Sequence, residues 1–300
     1  MSHDAAMQEL VADPVVVQSA ATWTERERTH RERVDALVSG HLRRRDRGER
    51  HPVEDFLFTY YSHRPAQLRR WHPGFGTALA GDPPHAGWPG YVRTSAGVTL
   101  DSAYVQRRAG TVRWIRDLLA ATAARPAFTG CLGLHEWAMV YRSRETRHEA
   151  WPLRLGPAGT DAVVESHQIR CSHFDAYRFF TADAAPRNAL RPSRHRQPEL
   201  EQPGCLHANM DLYKWAYKLS PMVPSELVTD AFTLAREVRK LDMRASPYDL
   251  TELGYEPVRI ETPEGKREYA AAQRSFAERS VPLRARLTSE CDRLLALTGE

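Results

Sequence analysis

A chain of 300 residues with 42% hydrophobic side chains can bury a sizeable core, and it contains no run approaching the roughly 18 to 20 apolar residues of a membrane span. The N-terminus has acidic residues where a secretion signal needs a basic and then an apolar stretch, and four widely spaced cysteines do not form a disulfide-rich pattern. A formal charge of +4 is only mildly basic, so we expect a cytoplasmic protein with reduced thiols and no membrane partner.

The N-terminal third is predicted to start loosely and then to become helical. Residues 1–22 lack an amphipathic pattern, which predicts a loose leader followed by a single domain over residues 23–300. Between Thr24 and Arg50, apolar residues recur at helical spacing among arginines and glutamates. Pro52 is suited to open a second helix. Residues 91–100 follow a Gly- and Pro-rich stretch and predict a short hairpin.

The rest of the chain is predicted to be mostly helical. Apolar spacing indicates helices near residues 112–119 and 132–142. Residues 161–181 alternate and contain β-branched and aromatic side chains, which predicts a pair of strands. Further helices are predicted over residues 206–219, 225–243, 268–276 and 283–297. Ser225 is a natural N-cap for the second of these. The predicted fold class is mainly α, a helical globular domain with a small β element (α+β).

The segment CLHANMDLYKWAYKLSP carries the most informative polar spacing. A helix places His207, Asp211 and either Lys214 or Lys218 on one face, at spacings of three and four residues. An imidazole, a carboxylate and an ammonium that converge there can orient a water molecule or a substrate anion. An exposed set of charges with the same spacing is the alternative.

A second polar segment, CSHFDAYRFF, lies upstream. In an extended strand, Cys171, His173 and Asp175 point to the same side. A solvent-facing edge strand would have the same pattern. The Cys-x-His pair recurs at Cys205 and His207, which allows a zinc site of two thiolates and two imidazoles. The alternative ligand set, suited to iron or manganese, is His173, Asp175, His207 and Asp211.

Two further segments contain carboxylates near aromatic side chains. Glu136 lies in the otherwise apolar segment LHEWAMVYR, where burial would raise its pKa as a general acid or base requires, unless it faces water. In LDMRASPYDL, Asp242, Arg244, Tyr248 and Asp249 surround a Ser-Pro turn. An Asp–Arg pair that fixes the turn explains that segment equally well.

Basic residues concentrate in the first quarter of the chain. Arginines can contact phosphates, and an aromatic ring can stack on bases, although a charge run is also typical of a solvated face. The predicted nucleic-acid-binding residues are Arg43, Arg44, Arg45, Arg69, Arg70 and Trp71. No GxGxxG, P-loop or GxSxG element is present, which argues against dinucleotide, NTP and α/β-hydrolase chemistry.

Five segments carry a resemblance to a known family. They are HPVEDFLFTYYSHRPAQLRRWHPG, HEWAMVYR, HFDAYRFF, HANMDLYKWAYKL and LDMRASPYDL. With them, the chain resembles, over residues 25–297, actinobacterial proteins of about this length that are commonly labelled 3-methyladenine DNA glycosylase. The resemblance implies a hydrolase that excises a modified base from DNA by attack of water at the glycosidic carbon. For that reaction we expect no cofactor.

Such a reaction needs a pocket for an extruded base, a carboxylate that stabilises charge on the sugar, and cations on the phosphates. The candidate catalytic residues are Asp211, Asp242, Glu136 and His207. The candidate substrate-binding residues are Tyr213, Lys214, Trp215, Arg244, Tyr248 and Arg178. The main alternative is a metal-dependent enzyme, with Zn or Fe/Mn, that acts on a small molecule. A non-catalytic binding module needs only the basic region, and no pattern indicates the oligomeric state.

Overall fold

The computed structural model describes residues 15–143, 146, 148 and 150–296. Within these residues the fold is mainly α, with twelve α-helices and one four-stranded sheet, which confirms the predicted class. The strands are β1 (Val16–Gln18), β2 (Thr77–Leu79), β3 (Tyr91–Thr94) and β4 (Gly97–Leu100). The helices are α1 (Ala20–Asp46), α2 (Phe56–Tyr60), α3 (Pro65–Leu68), α4 (Ser102–Gln106), α5 (Ala109–Ala123), α6 (Leu134–Ala138), α7 (Gly156–Glu165), α8 (Phe174–Tyr177), α9 (Gln197–Leu200), α10 (Leu206–Leu219), α11 (Ser225–Arg244) and α12 (Pro263–Ala296).

The helix α10 lies at the centre of the core. It packs against α11 and α12, and α5 packs against α12. Only three of its residues, Lys214, Tyr217 and Lys218, escape full burial, and a helix that is buried nearly all round belongs inside a protein. Its polar residues His207 and Asp211 are therefore enclosed by the core. None of the helices in the described ranges is both long and apolar enough to cross a bilayer.

The sheet has the strand order β1-β2-β4-β3. The predicted hairpin is present as the antiparallel pair β3–β4, while β1 pairs in parallel with β2. Residues 1–14 of the predicted leader lie outside the described residues. Residues 15–22 are not loose, because they contain β1 and the start of α1, where the Ser19 side chain accepts a hydrogen bond from the Thr22 amide at 3.2 Å.

The predicted strand pair at residues 161–181 is wrong. Helix α7 covers its first part and the short helix α8 its last part. Pro157 lies in the first turn of α7, where a helix favours proline, and the β-branched Val163 and Val164 are buried on its inner face. Packing against the core therefore outweighs the β propensity of this segment.

The C-terminal region differs from the prediction in two places. Residues 268–276 and 283–297 belong to one helix, α12, which continues through Pro282. Pro282 lies on the exposed side, where water can satisfy the carbonyl that loses its hydrogen bond. Ser225 is the first residue of α11 and not its cap; its hydroxyl accepts from the His72 amide at 2.8 Å and donates to the Arg70 carbonyl at 3.2 Å.

Two buried imidazoles, His63 against α10 and His72 against the sheet, are expected to make the protein sensitive to acid. Burial lowers the pKa of His63 to about 4 and, with neighbouring cations, that of His72 to about 3. An unfolded histidine takes up its proton near pH 6.5. The unfolded chain therefore binds more protons between these values, and stability is lost as the pH falls below 6.5.

The expected loss is on the order of 2 kcal/mol per imidazole between pH 7 and pH 5. Urea unfolding across this range measures it. The variant His72→Gln should show a shallower pH dependence than the wild type. An equal slope in both proteins would contradict the assignment to His72.

Candidate metal centre

Three imidazoles form a continuous cluster inside the core. His207 is on α10, His135 is on α6, and His173 immediately precedes α8. The ring centroids of His135 and His207 are 4.5 Å apart, and those of His173 and His207 are 5.2 Å apart. All three side chains are buried, at no more than 7% exposure, so they need polar partners within the protein.

The first ligand group consists of His135, His207 and Asp242, whose candidate ligand atoms all lie within 4.8 Å of one another. The Nε2 atom of His135 is 2.8 Å from Oδ1 of Asp242. Arg239 donates to Oδ2 of Asp242 at 2.7 Å and to Glu136 at 2.8 Å. Asp242 is therefore held through one oxygen, and its other oxygen points towards the imidazole.

The two facing atoms of this group form an ion pair without an aligned hydrogen bond. Nε2 of His135 and Oδ1 of Asp242 are 2.8 Å apart, and neither atom has a hydrogen-bond partner in good geometry among the described residues. A proton on His135 balances the charge of Asp242 in this arrangement. A metal cation that accepted a lone pair from each atom would take the place of that proton.

The second ligand group consists of His173, Glu201 and Asp211, again within 4.8 Å of one another. The Nε2 atom of His173 is 3.2 Å from Glu201 and 3.3 Å from Asp211. Tyr61 donates to Oδ1 of Asp211 at 2.7 Å, and Lys214 contacts Oδ2. The side chains of His173, Glu201 and Asp211 are at most 2% exposed.

Buried negative charge exceeds buried positive charge in this region. Four carboxylates are buried: Glu136, Glu201, Asp211 and Asp242. Arg239 and Lys214 are bonded to them, and the buried Arg284 interacts electrostatically with Glu201, so with neutral imidazoles the three cations and four anions leave a charge of −1. In a medium of low dielectric constant, this excess favours either protonated imidazoles or bound cations.

The three imidazoles differ in their affinity for protons. Burial lowers the pKa of His173, but the adjacent Glu201 and Asp211 outweigh it and raise the pKa to about 9. The pKa of His135 is also raised, because the charge of Asp242 outweighs burial. Burial and the neighbouring His135 hold the pKa of His207 well below its usual value. His207 is therefore neutral near pH 7, the form that binds a metal.

The two aspartates remain ionised despite their burial. Burial raises the pKa of Asp242, but His135 and Arg239 outweigh it and hold the pKa below its usual value. In the same way, Lys214 and His173 keep the pKa of Asp211 low. Each group thus contains an anionic oxygen ligand at neutral pH.

A cleft connects the first ligand group to the surface. It encloses about 260 Å³ and reaches His207 and Glu136. The other residues that line this aromatic cleft are Phe56, Thr59, Tyr60, Met139, His148, Asp175, Phe179 and Arg239. Its walls are largely aromatic, as is common for small-molecule sites. A ligand in the cleft would contact the centre from one side.

A second, nearly enclosed cavity borders the same imidazoles. Cys131, Cys171 and Cys205 line it together with His135 and His207. Burial raises the pKa of Cys171 to about 12 and that of Cys205 well above its usual value, so both are protonated thiols near pH 7. Within the described residues, neither ligand group includes a cysteine, so the geometry does not contain the site of two thiolates and two imidazoles considered from the sequence.

The structure brings together the four candidate catalytic residues. His207 belongs to the imidazole cluster, and Glu136, Asp211 and Asp242 lie around it. His173, a member of the alternative ligand set predicted from the sequence, lies in the same cluster. Asp175 was wrongly included in that set, because it belongs to neither ligand group. Its carboxylate lines the aromatic cleft and accepts a hydrogen bond from Lys214 at 3.1 Å.

Two members of the ligand groups, His135 and Glu201, were missed in the sequence. His135 is next to Glu136, which was already a candidate catalytic residue. This position beside a candidate was the one signal in the sequence that pointed to His135. Glu201 follows the short helix α9 in a Pro- and Arg-rich stretch without periodicity. No local pattern distinguished it from the other glutamates.

None of the six predicted substrate-binding residues lines the aromatic cleft, and four of them have their contacts elsewhere. Tyr213 and Trp215 are buried; Tyr213 is hydrogen-bonded to His63, and Trp215 packs edge-on against Trp114 at 5.2 Å. Their positions on α10 point into the core because that helix is buried nearly all round.

The other two, Tyr248 and Arg244, belong to the region after α11. Tyr248 packs in a separate cluster with Val140 and Met243, and Arg244 bonds to the Glu256 carbonyl at 2.8 Å. The polypeptide turns away from the centre after Asp242, which explains both corrections. Lys214 and Arg178 remain near the cleft, where both are paired with Asp175.

The predicted nucleic-acid-binding region is only partly exposed. Trp71 is completely buried and donates to Glu226 at 3.1 Å, so it is not available to stack on a base. Arg44 is bonded to Asp55, and Arg69 to Asp35 at 2.7 Å. The remaining arginines differ in their surroundings: Arg43 and Arg45 are exposed at the end of α1, and Arg70 lies over the Trp88 ring.

Comparison with known proteins adds no assignment. No protein-family model, no curated protein and no solved structure matches this chain.

Proposed function

We propose that this protein is a metal-dependent enzyme that acts on a small molecule, with Zn, Fe or Mn bound by His135, His207 and Asp242. The observation that carries the proposal is the buried group of two imidazoles and one carboxylate, whose ligand atoms lie within 4.8 Å of one another, with Nε2 of His135 facing Oδ1 of Asp242 outside hydrogen-bond alignment. Two imidazoles and one carboxylate form a ligand set that leaves coordination positions open for water or substrate.

The surroundings of this group support a catalytic role. Arg239 holds Asp242 and Glu136 in position, as partners outside the ligand set commonly do in metal sites. A bound divalent ion would lower the pKa of a coordinated water or polarise a substrate oxygen. Glu136 lines the aromatic cleft without belonging to either ligand group, so it is placed to exchange a proton with the substrate.

The cleft supports a small substrate with an apolar or aromatic part. Phe56 and Tyr60 lie one helical turn apart on α2 with their rings stacked at 5.0 Å, and Phe179 contributes a third ring. The ligand atoms are buried behind these rings, so a substrate must enter the cleft to reach a bound ion. A small molecule can enter such a cleft, whereas the flat surface of a macromolecule cannot.

Elemental analysis of the purified, untagged protein tests the proposal. Protein produced with trace metals and passed through gel filtration should retain about one equivalent or more of Zn, Fe or Mn per chain, since buried imidazole and carboxylate ligands bind such ions tightly. Retention should fall after dialysis against a chelator and return on reconstitution. Metal at background level after reconstitution with each of the three ions would overturn the proposal.

A DNA base-excision glycosylase is the second candidate function. The basic end of α1 is joined by the Arg44–Asp55 ion pair to the chain just before α2, which carries Phe56 and Tyr60 into the cleft. This arrangement would place phosphate-binding arginines near an aromatic pocket that contains a carboxylate.

An oligonucleotide assay separates the two functions. A duplex that contains 3-methyladenine should be converted to an abasic site by a glycosylase, and a chelator should not reduce the rate. The variants Asp211→Asn and Asp242→Asn should lower base release; full activity in both would exclude this candidate.

A further inference from the structure

We propose that a second metal ion binds to His173, Glu201 and Asp211, beside the first ion, so that the enzyme has a dinuclear centre. This inference rests on the proposed function, because it adds an ion to the site already assigned to His135, His207 and Asp242. The two ligand groups use different residues, so each can be tested separately.

The unpartnered nitrogens of His173 are the first argument. Neither Nδ1 nor Nε2 has a hydrogen-bond partner among the described residues, and the side chain is only 1% exposed. Nε2 lies 3.2 Å from Glu201 and 3.3 Å from Asp211, within ion-pair distance of both but not aligned for a hydrogen bond to either. An imidazole with two carboxylates at this spacing is a donor set that iron, manganese and zinc accept.

The second argument is that donors already orient both carboxylates. Tyr61 and Lys214 bond to the two oxygens of Asp211, and Gln197 donates to Glu201. Each carboxylate oxygen has two lone pairs, so a hydrogen bond from one side leaves a lone pair for a metal ion. Ligands fixed by such outer partners are the usual arrangement in metal sites.

The third argument is that α10 places the two groups side by side. His207 of the first group and Asp211 of the second are four residues apart, so they lie on the same face of the helix. The His173 ring is stacked on the His207 ring at 5.2 Å between centroids. An ion in one group would therefore be a close neighbour of an ion in the other, as in two-metal enzymes.

Charge leaves two ways to occupy the second group. Glu201 and Asp211 carry two negative charges, and Lys214 supplies one positive charge in contact with Asp211. The buried Arg284 interacts with Glu201 from another side. Beside His173, further positive charge would come either from a metal ion or from a proton on the imidazole. The number of bound ions distinguishes the two, since a protonated imidazole cannot be a ligand.

The test is the metal content of the full-length protein reconstituted with Mn(II) and freed of excess ion by gel filtration. Two ions per chain are expected, with the electron paramagnetic resonance spectrum of a coupled Mn(II) pair. One ion, with the six-line spectrum of isolated Mn(II), would overturn the second site but leave the proposed function intact. No bound ion after reconstitution with Mn(II), Fe(II) and Zn(II) would overturn both.

A matched pair of variants locates the second ion. Glu201→Gln should lower the content from two ions to one and replace the coupled spectrum by the isolated one. Glu199→Gln, two residues away and exposed beside Arg196, should retain two ions. A Glu201→Gln protein that folds and still binds two ions would contradict the assignment. The spectrum of the wild type needs no variant, so the proposal can fail even if Glu201→Gln does not fold.

Discussion

The variant Asp242→Asn is expected to lose the ion bound by His135 and His207, which lowers the metal content by about one equivalent per chain. An amide is neutral, so it donates its oxygen to a cation much more weakly than a carboxylate does. Asp242 is a direct ligand in this site, so the loss of affinity should exceed the roughly 10- to 100-fold that removal of an outer partner costs. Competition with a fluorescent chelator measures the dissociation constant.

The control for this variant lies on the same helix. Asp230→Asn makes the same chemical change on α11, but Asp230 is at the surface, where it pairs with Arg33 at 2.8 Å and Arg286 at 2.9 Å. Its metal content should equal that of the wild type. Unchanged metal affinity in folded Asp242→Asn would show that the first ligand group does not bind the ion.

Two of the helices that surround the centre, α10 and α11, were predictable from local patterns. The bounds of α10 agree with the prediction, and those of α11 differ by one residue, because apolar periodicity and flanking prolines mark both helices. The same periodicity predicted that His207 and Asp211 share a helix face. Their burial was not predictable, because spacing alone does not show whether a polar face turns inwards.

The remaining parts of the centre depend on contacts between distant positions. His135 meets His207, which is 72 positions later in the chain, and His173 meets Glu201 across an irregular stretch. No period or motif encodes such pairings; the packing of α6 and the loop before α10 produces them. Residues 161–181 were mispredicted for a related reason, since the burial of α7 outweighed local propensity.

The variant Arg239→Met is expected to lower the free energy of unfolding by about 3–5 kcal/mol in the presence of a chelator. Arg239 is 2% exposed and bonds to both Glu136 and Asp242. Methionine fills part of the space but leaves two buried carboxylates without their cation, which costs more than the original pair contributed. It also removes the guanidinium stacked on Phe56 at 3.8 Å.

Urea unfolding with and without metal tests the physical reason for this loss. Arg279→Met is the control, because Arg279 forms a half-exposed ion pair with Glu237 on the surface. This substitution should lower the free energy of unfolding by less than about 1 kcal/mol. If an ion occupies the first ligand group, it supplies part of the positive charge that Asp242 loses, so saturating metal should reduce the deficit of Arg239→Met relative to the wild type. An equal deficit with metal and with chelator would mean that Arg239 and the ion do not share Asp242. In that case the positive charge at Asp242 would come from protonated His135 and not from a metal.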